Sequence, residues 1–327
     1  MKTINWFYLI LLLTMVASCN DSFEDEQYYH YVSFKAPATT VTQIRLKYKP
    51  DEKSVYHLPL IVSGTTVNQK NLEVHVGIDN DTLEIFNREH YYDRTDLYYR
   101  QLEDNFYNIP SYDVSIPAGE TQALMDIQFS FEGLDLSDKW VLPLIIKDSP
   151  SYNYKSNPRK NYNNALLWIT PFNDFSGKYG STNLSVYLGN SQKPIVEDTR
   201  EAYVVDANTV FFYAGAVSET RPDRKKFKLY ATFNSNTENS GTITLRADNP
   251  DIKLNVNSQP TYTISEMMDS YRPYLLRRTV TIENLDYTFE DPWETEGYIA
   301  NYKVKGTMTL QRNINTTIPD EEFAIEW

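Results

Sequence analysis

Apolar and polar residues alternate with period two along most of the chain from Tyr28 onward. In 43–49 (QIRLKYK), Ile44, Leu46 and Tyr48 share one face while Arg45, Lys47 and Lys49 share the other. The stretch 72–78 (LEVHVGI) repeats the pattern with Leu72, Val74, Val76 and Ile78. The stretch 124–131 (LMDIQFSF) sets Met125, Ile127, Phe129 and Phe131 against Asp126, Gln128 and Ser130. Successive side chains of a strand point to opposite faces, so each stretch predicts a half-buried β-strand. Gly-, Asn- and Pro-rich turns separate them at 62–71, 116–121 and 147–161. Two segments echo each other, 57–64 (HLPLIVSG) and 141–148 (VLPLIIKD). Proline lacks a ladder N–H, so Pro59 and Pro143 predict edge strands or strand beginnings.

Beyond 166–180 (LLWITPFNDFSGKYG) the alternating runs lengthen and the gaps shrink to hairpin size. One face takes Phe227, Leu229, Ala231 and Phe233, then Ile243, Leu245 and Ala247, then Ile252, Leu254 and Val256. Tyr302, Val304, Met308 and Leu310 follow, with Asn301, Lys303, Lys305, Thr307 and Thr309 on the opposite side. Long antiparallel strands in series predict an up-and-down barrel, in which closure removes exposed edges. The change of texture puts a domain boundary near Thr170 and Pro171. Helix is expected only in two short pieces, one starting at Thr95 and one capped at Ser265 and stopped by Pro273. The fold class is all-β, in two domains.

The first residues follow another logic. Lys2 precedes an apolar run from Ile4 to Ala17, and the small residues Ala17 and Ser18 lead to Cys19. This is the layout of a secretory signal, with residues 1–18 as the part removed. The run is shorter than the ~20 residues a spanning helix needs. VASC (16–19) resembles the lipobox of bacterial lipoproteins, which implies lipidation of Cys19 and an outer-membrane anchor. One acyl chain holds a protein marginally, whereas two or more hold it stably. The acidic run after Cys19, NDSFEDE, is expected to be a solvated tether over 19–27. It resembles the acidic export signal of Bacteroidota surface lipoproteins, which implies an extracellular-facing location.

Cys19 is the only cysteine, so no disulfide forms within the chain and stability must come from apolar burial. Aromatics are plentiful for that purpose, with 26 Tyr, 15 Phe and 5 Trp. The formal net charge of −13 argues against nucleic acid, whose binding depends on cations that neutralise phosphates. With 11 glycines and no GxGxxG or GxxxxGK[ST], nucleotide-phosphate loops are not expected, nor is any cofactor.

The order of motifs resembles a known pairing. LPLIVSG, IDNDTLEIFN, NIPSYDVSIPAGET and WVLPLII together resemble an immunoglobulin-like domain of Bacteroidota surface proteins, also found ahead of some chitinase-like endoglycosidases. FSGKYG and YKVKGTMTLQRN resemble the lipocalin-like barrel that follows it in a set of outer-surface lipoproteins. The resemblance implies an Ig-like β-sandwich over 28–170, a lipocalin-like antiparallel β-barrel over 171–327, and a role in polysaccharide utilisation. It transfers no binding residues.

Catalytic chemistry finds little support. His30, His57, His75 and His90 form no HExxH, and a thiolate zinc site lacks cysteines, so no metal is expected. GLDLSDKW (133–140) lacks the closing glutamate of the DxxDxDxE run of the chitinase-like enzymes. No GxSxG elbow is present. DNDTLE (79–84) fails as a calcium loop and reads as a turn. DTL (81–83) resembles an O-glycosylation motif, with Thr82 as acceptor. Aromatics outside the strand alternation remain. Tyr91, Tyr92, Tyr98 and Tyr99 fall in a polar connection, and Tyr152 and Tyr154 in a turn. Trp293, Tyr271 and Tyr274 fall near expected barrel mouths and are the favoured ligand contacts, because flat rings suit pyranose faces. The expectation is a non-catalytic glycan-binding surface lipoprotein. The alternative is a structural, adhesin or transporter-accessory protein with envelope partners and no sugar affinity.

Overall fold

The computed structural model describes residues 26–36 and 41–327. Cys19, the signal segment and most of the expected tether lie outside the described residues. The first half contributes β1 (Tyr31–Phe34), β2 (Thr42–Lys47), β3 (Ser54–Val62), β4 (Leu72–Ile78), helix α1 (Asn80–Tyr91) and β5 (Tyr99–Gln101). It continues with β6 (Tyr107–Asn108), β7 (Asp113–Ile116), β8 (Gln122–Phe129), β9 (Lys139–Ile146), β10 (Lys155–Ser156) and β11 (Asn164–Phe172). The second half contributes β12 (Gly177–Gly180), β13 (Leu184–Leu188), β14 (Thr199–Val204), β15 (Thr209–Tyr213), β16 (Lys228–Thr237) and β17 (Ser240–Ala247). Then come β18 (Asn255–Val256), β19 (Thr261–Met268), β20 (Leu275–Thr295), β21 (Tyr298–Asn315), a short helix α2 (Glu321–Ala324) and β22 (Ile325–Glu326). The fold is all-β, as the alternation predicts.

In the first half two sheets enclose one core. One sheet runs β10-β1-β3-β8-β6, the other β2-β11-β9-β4-β7 with β5 beside β9. Val32, Leu58, Leu60 and Ile127 of the first pack in the same core as Leu46, Val74, Leu144 and Leu167 of the second, each almost fully buried. Burying such a side chain contributes ~1.5–3 kcal/mol. The second sheet is covered on its outer face as well, where Leu83 of α1 packs on Val141 and Leu166.

Several local expectations need correction. Pro59 and Pro143 lie in β3 and β9, which are interior strands. The C=O of Pro59 accepts from Lys35 N–H (2.9 Å), just past the end of β1, and that of Pro143 from Asp79 N–H (3.1 Å), just past the end of β4. In a strand the N–H and C=O of one residue face the same neighbour. Each proline thus accepts one bond from that neighbour and lacks only the reciprocal one, at the position where the neighbouring strand ends.

The segment 79–84 is not a turn but the start of α1. Asp79 caps it, accepting from Thr82 N–H at 3.3 Å. The helix expected from Thr95 is two short 3₁₀ turns around β5, and the one expected at Ser265 is β19, paired with β20 along its whole length. Of the strand expected over 252–256, Ile252 ends a 3₁₀ turn and only Asn255–Val256 pair, as β18. The end of the expected tether is docked: the Glu26 carboxylate accepts from Thr65 and Thr66 N–H at 2.8 and 2.9 Å. Those backbone N–H groups hold its pKa well below the usual carboxylate range.

The second half is one antiparallel sheet. Its pairings pass in a ring through β12, β14, β15, β16, β17, β19, β20 and β21. The ring returns to β12 through a single residue pair, Gly180 with Thr309. The interior is filled by side chains, among them Phe212, Leu229, Phe233, Tyr287 and Phe289. Gly306 (φ +141°) lets β21 pass β13 closely, since a Cβ there would fall 1.9 Å from the Asn183 carbonyl oxygen.

The outer face of β15 is buried too, because the first half packs near it. Lys228 reaches Asp135 (2.7 Å), Lys225 reaches Asp138 (2.6 Å), and Arg224 donates to the carbonyl of Asp96 (3.0 Å). Within this seam burial and the charge of Glu219 push Glu201 up to about 7. A second join is made by Trp327, edge-on to Phe172 at 4.9 Å, and by Glu322, which ion-pairs with Lys49 at 3.1 Å.

Candidate functional site

The β20–β21 hairpin loses its register between Asp291 and Thr295, the stretch that contains Pro292 and Trp293. A bulge re-aims side chains that regular pairing would hold in phase. Asp291 is fully buried and organises the bulge. Its carboxylate accepts from Trp293 N–H (3.0 Å) and from Arg221 Nη1 (2.5 Å) and Nη2 (3.2 Å). Arg221 is gripped on its other side by Asp223 (2.6 Å). Burial works against the Arg221 charge, but the two carboxylates outweigh it and raise its pKa.

The aromatic side is built the same way. The Arg221 guanidinium lies 4.5 Å from the Phe227 ring centre, and Phe227 meets Trp293 edge-to-face at 5.5 Å. Lys226 Nζ stands 4.2 Å from the Trp293 ring centre. The result is a ladder of cation, ring, ring, cation in which the half-buried indole is fixed from several directions. Asn249 Nδ2 donates to the Lys226 carbonyl (3.0 Å), while its Oδ1 accepts from Asp251 N–H (3.1 Å).

These residues surround an open cleft of about 520 Å³, lined by Lys225, Lys226, Asn249, Asp251 and Trp293. Lys225, through Asp138, ties the cleft to the first half of the chain. A flat ring flanked by an amide, a carboxylate and an ammonium offers stacking together with both hydrogen-bond donors and acceptors. A second cleft of about 330 Å³ lies where β17 diverges from the 256–260 segment, and no aromatic ring lines it.

Tyr271 and Tyr274 do not join Trp293. They lie in the turn before β20, which is 21 residues long, and Trp293 stands near its other end. At ~3.3 Å per residue the separation is roughly 60 Å along the strand. Tyr271 is 94% exposed. Thr82 is half-buried in the first turn of α1, where its hydroxyl donates to Asp79 (2.5 Å) and accepts from Asn164 Nδ2 (2.9 Å). Tyr154 is core, with its hydroxyl on the Lys147 carbonyl (2.6 Å), and Tyr152 stacks on it.

The histidines have local partners: His57 pairs with Asp126 and His75 with Asp113, each at 2.6 Å across neighbouring strands. His30 contacts Glu26, and His90 stacks on Phe86. Among the described residues no group of three or more His, Cys, Asp or Glu is arranged to hold a metal. Lys226, Asn249 and Asp251 escaped sequence reasoning. Lys226 precedes a strand whose Phe227 reads as core, and the Asn249–Asp251 turn is itself an ordinary polar connection.

Residues 23–150 match the family model of a domain of unknown function, DUF4973, and a model for a C-terminal domain matches residues 163–309. A Bacteroides ovatus protein of unknown function shares 42% identity, with 91% of this chain and 100% of that one covered and a TM-score of 0.82. The chain belongs to the family of that protein. The family includes an auxiliary nutrient binding protein of Bacteroides thetaiotaomicron (39% identity, 92% and 100% covered, TM-score 0.81). It also includes a multidomain B. ovatus protein with a DUF1735 region (40% identity, 91% and 100% covered, TM-score 0.81). No curated protein matches the chain.

Proposed function

We propose that this protein is a non-catalytic glycan-binding lipoprotein of the outer membrane, anchored through Cys19 and facing outward. Its division is an Ig-like sandwich over 28–170 and a lipocalin-like barrel over 171–327. The observation that carries the binding reading is the Trp293 cleft. It has an aromatic surface set by a buried ion pair, flanked by polar groups and placed beside the junction of the two halves, where ligand sites tend to lie. The description of the B. thetaiotaomicron relative as nutrient-binding supports the same direction.

Affinity electrophoresis with a broad set of soluble polysaccharides tests it. Retardation by at least one glycan, lost in Trp293→Ala, is the expected result. A blank set, with an envelope protein co-purifying instead, would replace this reading with that of a structural or transporter-accessory partner. The anchor has its own test: Cys19→Ala should move the protein from the membrane to the soluble fraction. Protease treatment of intact cells should remove it if it faces outward.

A further inference from the structure

We infer that the Trp293 cleft selects an anionic pyranose, a sugar ring carrying an isolated carboxylate or sulfate, with Lys226 as its counter-charge. This deepens the glycan-binding reading and rests on it. The argument begins with the run RKKFK (224–228). Three of its four cations are committed to the seam: Arg224 to the Asp96 and Ser137 carbonyls, Lys225 to Asp138 and Lys228 to Asp135. Nearby, Arg221 is held by Asp223 and Asp291, and Lys253 by Glu290 at 2.8 Å. Among the described residues, no carboxylate stands within ion-pair distance of Lys226. Its neighbour is the Trp293 ring, whose face attracts a cation and so presets where the ammonium stands.

A ring stacked at Trp293 would thus meet a fixed positive charge that is not ion-paired to any carboxylate among the described residues. Asp251, in the same cleft, sets the limit on the ligand. Its carboxylate accepts sugar hydroxyls but repels a second negative charge, which favours one acidic group per binding ring over a densely charged polymer. The formal net charge of −13 adds a weak general repulsion. Salt screens that repulsion within about a Debye length, ~10 Å at 0.1 M, so the local cation decides selectivity.

The test is isothermal titration of the purified protein with a glucuronoxylan, which carries isolated carboxylates, a sparsely sulfated galactan, and their neutral counterparts xylan and galactan. At least one acidic polymer should bind ten-fold or more tightly than its neutral counterpart, and which one binds separates carboxylate from sulfate recognition. Lys226→Met should lose that preference, Lys226→Arg should keep it, and Asp251→Asn should tighten acidic ligands several-fold. Tryptophan fluorescence of each variant checks that the indole environment is retained. Equal or tighter binding of neutral polymers at Trp293, or an unchanged preference in Lys226→Met, overturns the anionic reading and leaves glycan binding standing. No binding of either class removes both.

Discussion

The two ends of β20 carry aromatic residues in opposite circumstances. At one end Trp293 is clasped by a buried Asp291–Arg221 pair, by Phe227 and by Lys226. At the other, Tyr271 projects from a turn with almost its whole surface in water. That turn is itself ordered by Asp269, which accepts from Tyr271 N–H (2.8 Å) and Arg272 N–H (2.9 Å) and pairs with Arg277. There the backbone is held and the ring is not. The difference matters because a ring fixed before binding loses little freedom when a ligand arrives, whereas a free one must be ordered at the ligand's expense.

The contrast can be broken most directly at Asp291. Asp291→Ala leaves Arg221 partly buried with one anion removed, and a loss of about 3–5 kcal/mol in urea unfolding is expected. A loss below 1 kcal/mol would mean that the pair does not hold the cleft. Next in size, Trp293→Ala should weaken glycan binding at least ten-fold in titration, about 1.4 kcal/mol, while Tyr271→Ala leaves it unchanged. Equal losses from both would erase the distinction.

Acid should act on the turn end. The N–H groups of Arg272 and Tyr271, then Arg277, hold the Asp269 pKa below its ordinary 3.8. Its stabilisation is therefore present above about 3.8 and lost as pH falls through the lower folded value. Amide exchange at Tyr271 and Arg272 should accelerate in that window, and Asp269→Asn should exchange faster at neutral pH as well. Smaller still, Asp138→Ala removes two ion pairs near the cleft rim, to Lys225 and Arg100, whose side chains are 41% and 49% exposed. It should change stability by less than about 1 kcal/mol. Smallest, Tyr271→Ala should shift unfolding by no more than about 0.5 kcal/mol.

Strands with one dry face were legible in the sequence because period two leaves no other assignment. Met125, Ile127, Phe129 and Phe131 are all buried as the alternation requires. What escaped was settled by partners distant in the chain. The Ser265–Met268 stretch reads as a capped helix until Arg278 on β20 supplies an ion pair to Glu266 (2.6 Å) and the ladder claims it as strand. Helix α1 buries only Leu83 and Asn87, so its apolar stripe was too thin to see, and Asp and Asn serve turns and helix caps equally. Trp293 could be nominated from its place near an expected barrel mouth, off the strand alternation, and the structure sets it in a cleft. Its companions were not, because nothing local distinguishes Lys226 from the other lysines of its run.

The join that completes the ring, one β12 pair at Gly180–Thr309 continued by five β13 pairs with β21, has a kinetic consequence. Most other joins of the ring link strands close in sequence, and the β20–β21 hairpin can zip from its own turn. The last join must bring together segments more than a hundred residues apart, with most of its loop-closure entropy spent before any contact repays it. The barrel should therefore assemble as an open curl and latch late. In the native state the β12–β21 line is where it should breathe first, on a path that leaves the Trp293 end closed.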